Sequence, residues 1–394
     1  MKINLTRAGL SVIAAVATAA GFAGTTLTGQ AINVHGVDCP SAAGTVAANG
    51  SSLQNAGVQA ELTSYNGTGS GCATPGTVGY TSTGSGTLIT EADTNSSAVA
   101  FGGTDVPYTH QDFVTMNSTG WGRVQTIPLA ESGVAYVTST SNCAASANLS
   151  GATLGEIFAG KITDWHAVSA ACAVGTTIHV GVRSSGCSGT TQAVKDYFNK
   201  KDSATYAQLL AADPATTGNP TKFFCDPFWG ASTPWITCTG STNQVLVNCT
   251  SDANLITYVD ESDASTHVPT LSRHAIDNAA GTFSTWTSGA CSTAAAAAVT
   301  PNTTAADWSG TDITNAATGY GDCTFTYQLA SAGCVNLTAQ GQACHGMTNA
   351  QAQVTRAFIE FEVTDAGQAI FAANNYDTLP NNLEVHSQAG AATL

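Results

Sequence analysis

Arg183-Ser-Ser-Gly-Cys-Ser-Gly-Thr-Thr191 sets one arginine ahead of a run of small and hydroxylated residues. Before it, Thr177-Ile-His-Val-Gly-Val182 alternates in the manner of a strand; after it, Ala193, Val194, Tyr197 and Phe198 recur at helical spacing. The stretch therefore reads as a strand-to-helix turn. Gly186 and Gly189 let the backbone turn and approach a ligand, and Ser188 or Thr190 is placed to cap the helix, whose unpaired N–H groups point back into the turn. Such a turn can hold an oxyanion through backbone dipoles, with Arg183 as a two-pronged charged donor. An ordinary capped turn has the same composition, so the rest of the chain must decide between them.

At 394 residues with 43% hydrophobic and 9% charged side chains, the chain is long enough for two domains with sizeable cores. Lys2 and Arg7, the apolar run from Ala8 to Ala20 and a polar stretch ending at Ala31 have the layout of a secretory signal peptide over residues 1–31. The apolar run is too short to span a bilayer comfortably, and no later segment of the needed length is free of polar residues, so no membrane insertion of the mature chain is expected. No Leu-x-x-Cys pattern ends the run, and Cys39 lies well beyond it, which disfavours a lipid anchor. Without that segment, 26 acidic side chains face about 9 basic ones, a balance of about −17 that excludes nucleic acid as a natural partner. Twelve cysteines in an exported chain imply disulfides; Cys334 with Cys344, Cys225 with Cys238, and Cys143 with Cys172 are candidate neighbours. No Cys-x-x-Cys or His-x-x-x-His spacing occurs and the eight histidines are scattered, so neither a metal nor another cofactor is expected.

Two more turns of the same kind precede the arginine. Asn49-Gly-Ser-Ser-Leu53 reads as a hydroxyl-bearing helix start carrying Val58 and Leu62 inward, and Thr83-Gly-Ser-Gly-Thr87 follows the strand at Thr77–Tyr80 and leads into another helix. Ala98–Phe101 reads as a buried strand that delivers Gly102-Gly-Thr-Asp-Val-Pro107 at its C-terminal end, where ligands sit in open α/β sheets. Val124–Leu129 and Gly133–Val137 form a long extended segment able to cross between domains. Leu149–Phe158 is an amphipathic helix that stops at Gly160, with Trp165 against it. Ser203–Ala212 and Asp252–Tyr258 read as helices, residues 213–250 as irregular and stapled, and Cys291–Ala317 gives no clear pattern. Thr318–Tyr327 is extended and returns the chain toward the first domain; helices at Ala350–Val363 and Thr364–Phe371 precede Tyr376-Asp-Thr-Leu-Pro380.

In this order, the motifs resemble those of the extracytoplasmic phosphate-binding proteins that serve ABC transporters, a branch of the type II bilobal periplasmic binding proteins. Gly50-Ser-Ser-Leu53 is similar to a Gly-x-Thr-Phe loop, Gly84-Ser-Gly86 to a Gly-Ser loop, and Phe101–Pro107 to Phe-Gly-Ala-Ser-Asp-x-Pro. Leu149–Trp165 resembles Leu-x-Gly-x-x-Leu-x-x-Ile-Phe-x-Gly-Lys-Ile-x-x-Trp, Arg183–Thr191 resembles Arg-x-Asp-Gly-Ser-Gly-Thr, and Tyr376–Pro380 resembles Tyr-x-x-Leu-Pro. The resemblance implies an α/β fold of two lobes, each a mixed sheet flanked by helices, joined by crossing hinge strands. Its boundaries would be residues 32–130 for the first part of lobe 1, 131–319 for lobe 2, and 320–394 for the return to lobe 1. It further implies a non-enzymatic, periplasmic or secreted protein that captures inorganic phosphate for an ABC permease. Carried over by position, the ligand contacts would be Ser52, Leu53, Ser85, Asp105, Arg183, Ser188, Gly189 and Thr190.

The chemistry of that set is coherent on its own. Hydroxyls, helix N-termini and Arg183 solvate phosphate oxygens, while an ionised Asp105 only accepts hydrogen bonds, favouring a protonated phosphate over sulfate. Two departures stand out: Ser185 replaces the aspartate that follows the arginine, and Cys187 is inserted before the serine, with Cys225 as a candidate mate. A secreted phosphatase, a surface or appendage protein on the same scaffold, and a binder of another oxyanion are the competing functions.

Overall fold

The computed structural model describes residues 36–93, 99–107, 121–183, 188–211, 234–240, 242–267, 269–296, 298, 308, 310–342 and 344–394. The first half runs β1 (Thr45–Gly50), α1 (Asn55–Tyr65), β2 (Thr77–Ser82), α2 (Ser85–Asp93), β3 (Phe101–Thr104) and β4 (Val124–Ser139). The middle runs α3 (Gly151–Phe158), β5 (His179–Arg183), α4 (Gly189–Lys201), α5 (Ser203–Ala211), β6 (Ile236–Gly240), α6 (Asn243–Cys249), β7 (Leu255–Asp260), α7 (Glu261–Thr266) and β8 (Leu271–Arg273). After the short pair β9 (Ile276–Asp277) and β10 (Phe283–Ser284) come α8 (Ala290–Ala295) and β11 (Cys323–Ser331). The chain closes with α9 (Cys334–Ala339), α10 (Asn349–Glu362), α11 (Asp365–Ala373), β12 (Asp377–Thr378) and α12 (Asn381–Ala391).

The strands order as β2-β1-β3-β11-β4-β7-β5-β6. β1 pairs in parallel with β2 and β3, and β5 in parallel with β6 and β7. β4 joins these two parallel sets: its stretch Val124–Gly133 lies antiparallel to β11, and Val134–Thr138 antiparallel to β7. One strand thus serves two sheets, which is why it is long and buried almost throughout. Each side has its own core. Leu53, Val58, Tyr65, Phe101 and Phe358 lie in one cluster, and Tyr136, Phe158, Trp165, Tyr197 and Tyr258 in the other. Fully burying such side chains contributes ~1.5–3 kcal/mol each. The chain has a mixed α/β fold of two lobes joined by crossing strands.

Several expectations are corrected. Asp252–Tyr258 is not a helix: residues 255–260 form β7, buried on both faces, so its apolar residues run on without the alternation that marks a half-covered strand. The part of 213–250 that is described, from 234 onward, is ordered as β6 and α6; residues 212–233 lie outside the described set. Asn49–Leu53 does not cap a helix, because β1 runs to Gly50 and α1 starts at Asn55 with Gln54 as an N-cap that makes no side-chain cap bond. Cys238 pairs with Cys249 rather than Cys225, since α6 folds back along β6. Cys143–Cys172 and Cys334–Cys344 form as expected, joined by Cys39–Cys72 and Cys291–Cys323. The signal segment, Ser185, Cys187 and Cys225 lie outside the described residues. No described helix is long and apolar enough to cross a membrane.

Candidate functional site

The polar residues of interest all sit at or just beyond the ends of strands. Ser51 and Ser52 follow β1, Ser85 opens α2 beyond β2, and Asp105 follows β3; Arg183 ends β5, Asn243 opens α6 beyond β6, and Asp260 ends β7. The C-terminal edges of parallel strands collect loop side chains and helix N-termini, which is where α/β sheets place ligands. Here two such edges meet: the Arg183 Nη2 donates to Ser52 Oγ at 3.2 Å across them.

Asp105 is 4% exposed and surrounded by hydroxyl groups. Ser51 Oγ lies 2.5 and 2.6 Å from its two oxygens, Thr326 Oγ1 donates to Oδ1 at 2.9 Å, and Ser85 Oγ donates to Oδ2 at 3.3 Å. Ser51 and Thr326 are themselves held: the Leu53 N–H donates to Ser51 Oγ at 3.0 Å, and Thr326 Oγ1 is 2.7 Å from Gln54 Oε1. Burial pushes the Asp105 carboxyl up to about 6, against the pull of the Ser51, Thr326 and Ser85 hydroxyls and of Arg183. Above that pH it is an acceptor only. Gly103, just before it, must lack a side chain, because a Cβ there would lie 1.6 Å from Gln54 Nε2.

From the other lobe, α4 presents its N-terminus. Ser188 caps it, its Oγ accepting from the Thr191 N–H at 3.3 Å. Gly189 lies directly against Asp105, where a Cβ would come within 2.4 Å of Oδ2. Thr190 Oγ1 donates to Asp260 Oδ1 at 2.8 Å. Arg183, also 4% exposed, donates from Nη2 to Asn243 Oδ1 at 2.5 Å and from its backbone N–H to the Tyr258 hydroxyl at 3.3 Å. Asn243 Nδ2 in turn donates to Asp260 Oδ2 and Asp263 Oδ2. Burial and the Asp263 charge push Asp260 up to about 7, opposed by Arg183 and the Asn243 hydrogen bond.

The structure brings together Ser52, Ser85, Asp105, Arg183, Ser188, Gly189 and Thr190, all among the residues singled out in the sequence. Leu53 stands apart: its side chain is fully buried in the lobe core, its N–H is engaged by Ser51, and its carbonyl accepts from the Tyr376 hydroxyl at 2.5 Å. Tyr376-Asp-Thr-Leu-Pro380 is accordingly a brace behind the first loop, with Asp377 accepting from the Gly289 and Cys291 N–H groups at 2.6 Å. Leu149–Trp165 also serves packing: Ser150 caps α3, and Leu154, Ile157, Phe158 and Trp165 are fully buried. Sequence reasoning missed Ser51, Thr326, Asn243 and Asp260. Ser51 had a signal, as the neighbour of Ser52 in one loop; the other three reach the site through sheet order, which leaves no local motif. Among the described residues no cluster of His, Cys, Asp or Glu could hold a metal ion. The assembly offers charged and neutral donors around one deeply buried acceptor, a chemistry suited to an oxyanion that carries a proton.

The chain is 36% identical over 133 residues to the phosphate-binding protein PstS 3 of Mycobacterium tuberculosis H37Rv, a match covering 32% of this chain and 35% of that protein. It thus spans about a third of the length of the curated relatives it matches. Among solved structures it is similar to a phosphate binding protein from Stenotrophomonas maltophilia, with a TM-score of 0.63, 19% identity, and coverage of 88% of this chain and 94% of that one. It is also similar to a high affinity periplasmic phosphate-binding protein solved with bound phosphate, with a TM-score of 0.61, 21% identity, and coverage of 86% and 92%. At these identities the structural likeness speaks to the fold. A family model described as the PBP superfamily domain matches residues 39–352, and on that match the chain belongs to the PBP superfamily.

Proposed function

We propose that this protein captures inorganic phosphate between its two lobes, outside the cytoplasm, and hands it to an ABC-type permease. The observation that carries the reading is the seating of Asp105, an acceptor enclosed by hydroxyls and set against Gly189 at the N-terminus of α4, with Arg183 beside it. Ser52, Ser85, Arg183, Ser188, Gly189 and Thr190 would surround the anion. The ionised Asp105 accepts from a P–OH and repels sulfate, which has no proton to give. The relatives named above as phosphate-binding proteins support the same ligand. A signal peptide over residues 1–31 accords with the five disulfides among the described residues and with export. The lobes would run over residues 32–130 with 320–394, and over 131–319. Binding without chemistry is the expected activity.

Isothermal titration of the folded protein with phosphate, then with sulfate, tests this. Saturable heat with phosphate and far weaker binding of sulfate are expected. No heat with phosphate removes the proposal.

A further inference from the structure

Asn243 and Asp260 belong to no motif read in the sequence, yet both touch the residues that would hold the anion. The orientation of the Asn243 amide is settled by its neighbours. Its carbonyl faces the Arg183 guanidinium at 2.5 Å and its amide hydrogens face Asp260 and Asp263; turned over, it would set donors against a cation and an oxygen against two carboxylates. Asp260 is fully buried, and its other oxygen takes the Thr190 hydroxyl proton at 2.8 Å. A hydroxyl has one proton to donate, so Thr190 Oγ1 keeps only lone pairs for a ligand.

We propose that Asn243 and Asp260 are positioning residues: Asn243 aims Arg183, and Asp260 turns Thr190 into a second hydrogen-bond acceptor for the anion. This rests on the reading that Arg183 and Thr190 contact bound phosphate. The consequence concerns the ligand's protonation state. With Asp105 and Thr190 both accepting, the site takes a doubly protonated, singly charged oxyanion, of which dihydrogen phosphate is the common example. The groups facing Asp260 fit a role tied to charge: Asp263 on α7, Arg183 at the end of β5, Asp105 beyond β3, and the Tyr258 and Tyr376 hydroxyls. A singly charged ligand suits a site in which one guanidinium stands among carboxylates.

The test is phosphate and sulfate titration across pH 6 to 8.5 on the wild type, Asn243→Ala, Asp260→Asn and Thr190→Val. Wild-type affinity for phosphate is expected to fall as pH rises and the dihydrogen form disappears. Asn243→Ala is expected to weaken phosphate ~10–100-fold, the scale of a hydrogen bond to a charged group. Asp260→Asn can donate to Thr190 and free its proton for the ligand, so the fall with pH should flatten and sulfate binding should tighten ~10-fold. A purely structural role would lower the melting temperature and leave the phosphate-to-sulfate ratio and the pH profile alone; that result overturns the inference. If Asp260→Asn does not fold, Thr190→Val reports on the same claim, and an unchanged ratio there is equally fatal. Phosphate binding in the wild type with wild-type behaviour in every variant defeats this inference alone. Absence of phosphate binding in the wild type defeats the underlying reading as well.

Discussion

Two sets of buried acids in this protein have opposite surroundings. Asp105 at the lobe junction is met by the hydroxyls of Ser51, Ser85 and Thr326 and lies within the field of Arg183, so its carboxyl rises only to about 6. Glu61 and Glu362, in the first lobe's interior between α1 and α10, are both fully buried and face each other. No hydroxyl, amide or cation among the described residues meets Glu61, which hydrogen-bonds to Glu362; Glu362 also receives the Gln328 amide at 2.9 Å. Burial raises both, Glu362 to about 8, and the Glu362 charge raises Glu61 further. Equal depth thus gives unequal chemistry. A carboxylate provided with donors can stay charged at neutral pH and do the work of recognition, whereas a pair without them must keep a proton.

Neutralising each set separates these roles. Asp105→Asn should lower the preference for phosphate over sulfate ~100-fold, because the amide donates where the carboxylate only accepted; Glu61→Gln should leave that ratio unchanged. Competition titrations on the two variants check this, and a selectivity change in Glu61→Gln would break the distinction.

The second expectation concerns stability. A carboxyl raised on folding contributes stability that is fully present below its ordinary value near 4.5 and is lost as pH climbs through the folded value, here about 8 for Glu362. The melting temperature should therefore fall between pH 5 and pH 8.5, by roughly 2–4 °C for each kcal/mol lost. Glu61→Gln, which gives Glu362 a neutral donor, should flatten that slope, whereas Asp105→Asn should alter it only toward pH 6. Calorimetric scans over this range decide it; equal slopes in wild type and Glu61→Gln would contradict the shared proton.

The smallest expected effect is on the site itself. As pH drops below about 6, Asp105 takes up a proton and can donate to an oxyanion, so sulfate should gain a few-fold relative to phosphate. A ratio constant from pH 7 to pH 5 would count against an acceptor role for Asp105.

Much of this was legible before the structure, for reasons that differ by region. The helix at Asn349–Glu362 was legible because its apolar residues recur at helical spacing against a core, and β4 because Val124–Leu129 and Gly133–Val137 read as extended. Arg183, Ser188, Gly189 and Asp105 were legible because a strand end, a cap and a glycine constrained by close approach are local requirements. β7 was misread because a strand covered on both faces loses its alternation, so Asp252–Tyr258 looks like a helix. Thr326 reaches Asp105 only because β11 returns beside β3, and Asn243 and Asp260 meet only because β6 and β7 flank β5. Such meetings are made by topology and leave no trace in neighbouring residues.

The central claim is that an oxyanion sits between the Asp105 loop and the N-terminus of α4. A crystal structure of the protein grown with phosphate tests it most directly. Phosphate within hydrogen-bond distance of the Arg183 guanidinium, the Gly189 N–H and the Asp105 carboxylate is the expected result; ordered phosphate elsewhere, with Asp105 and Arg183 free of it, would contradict the account.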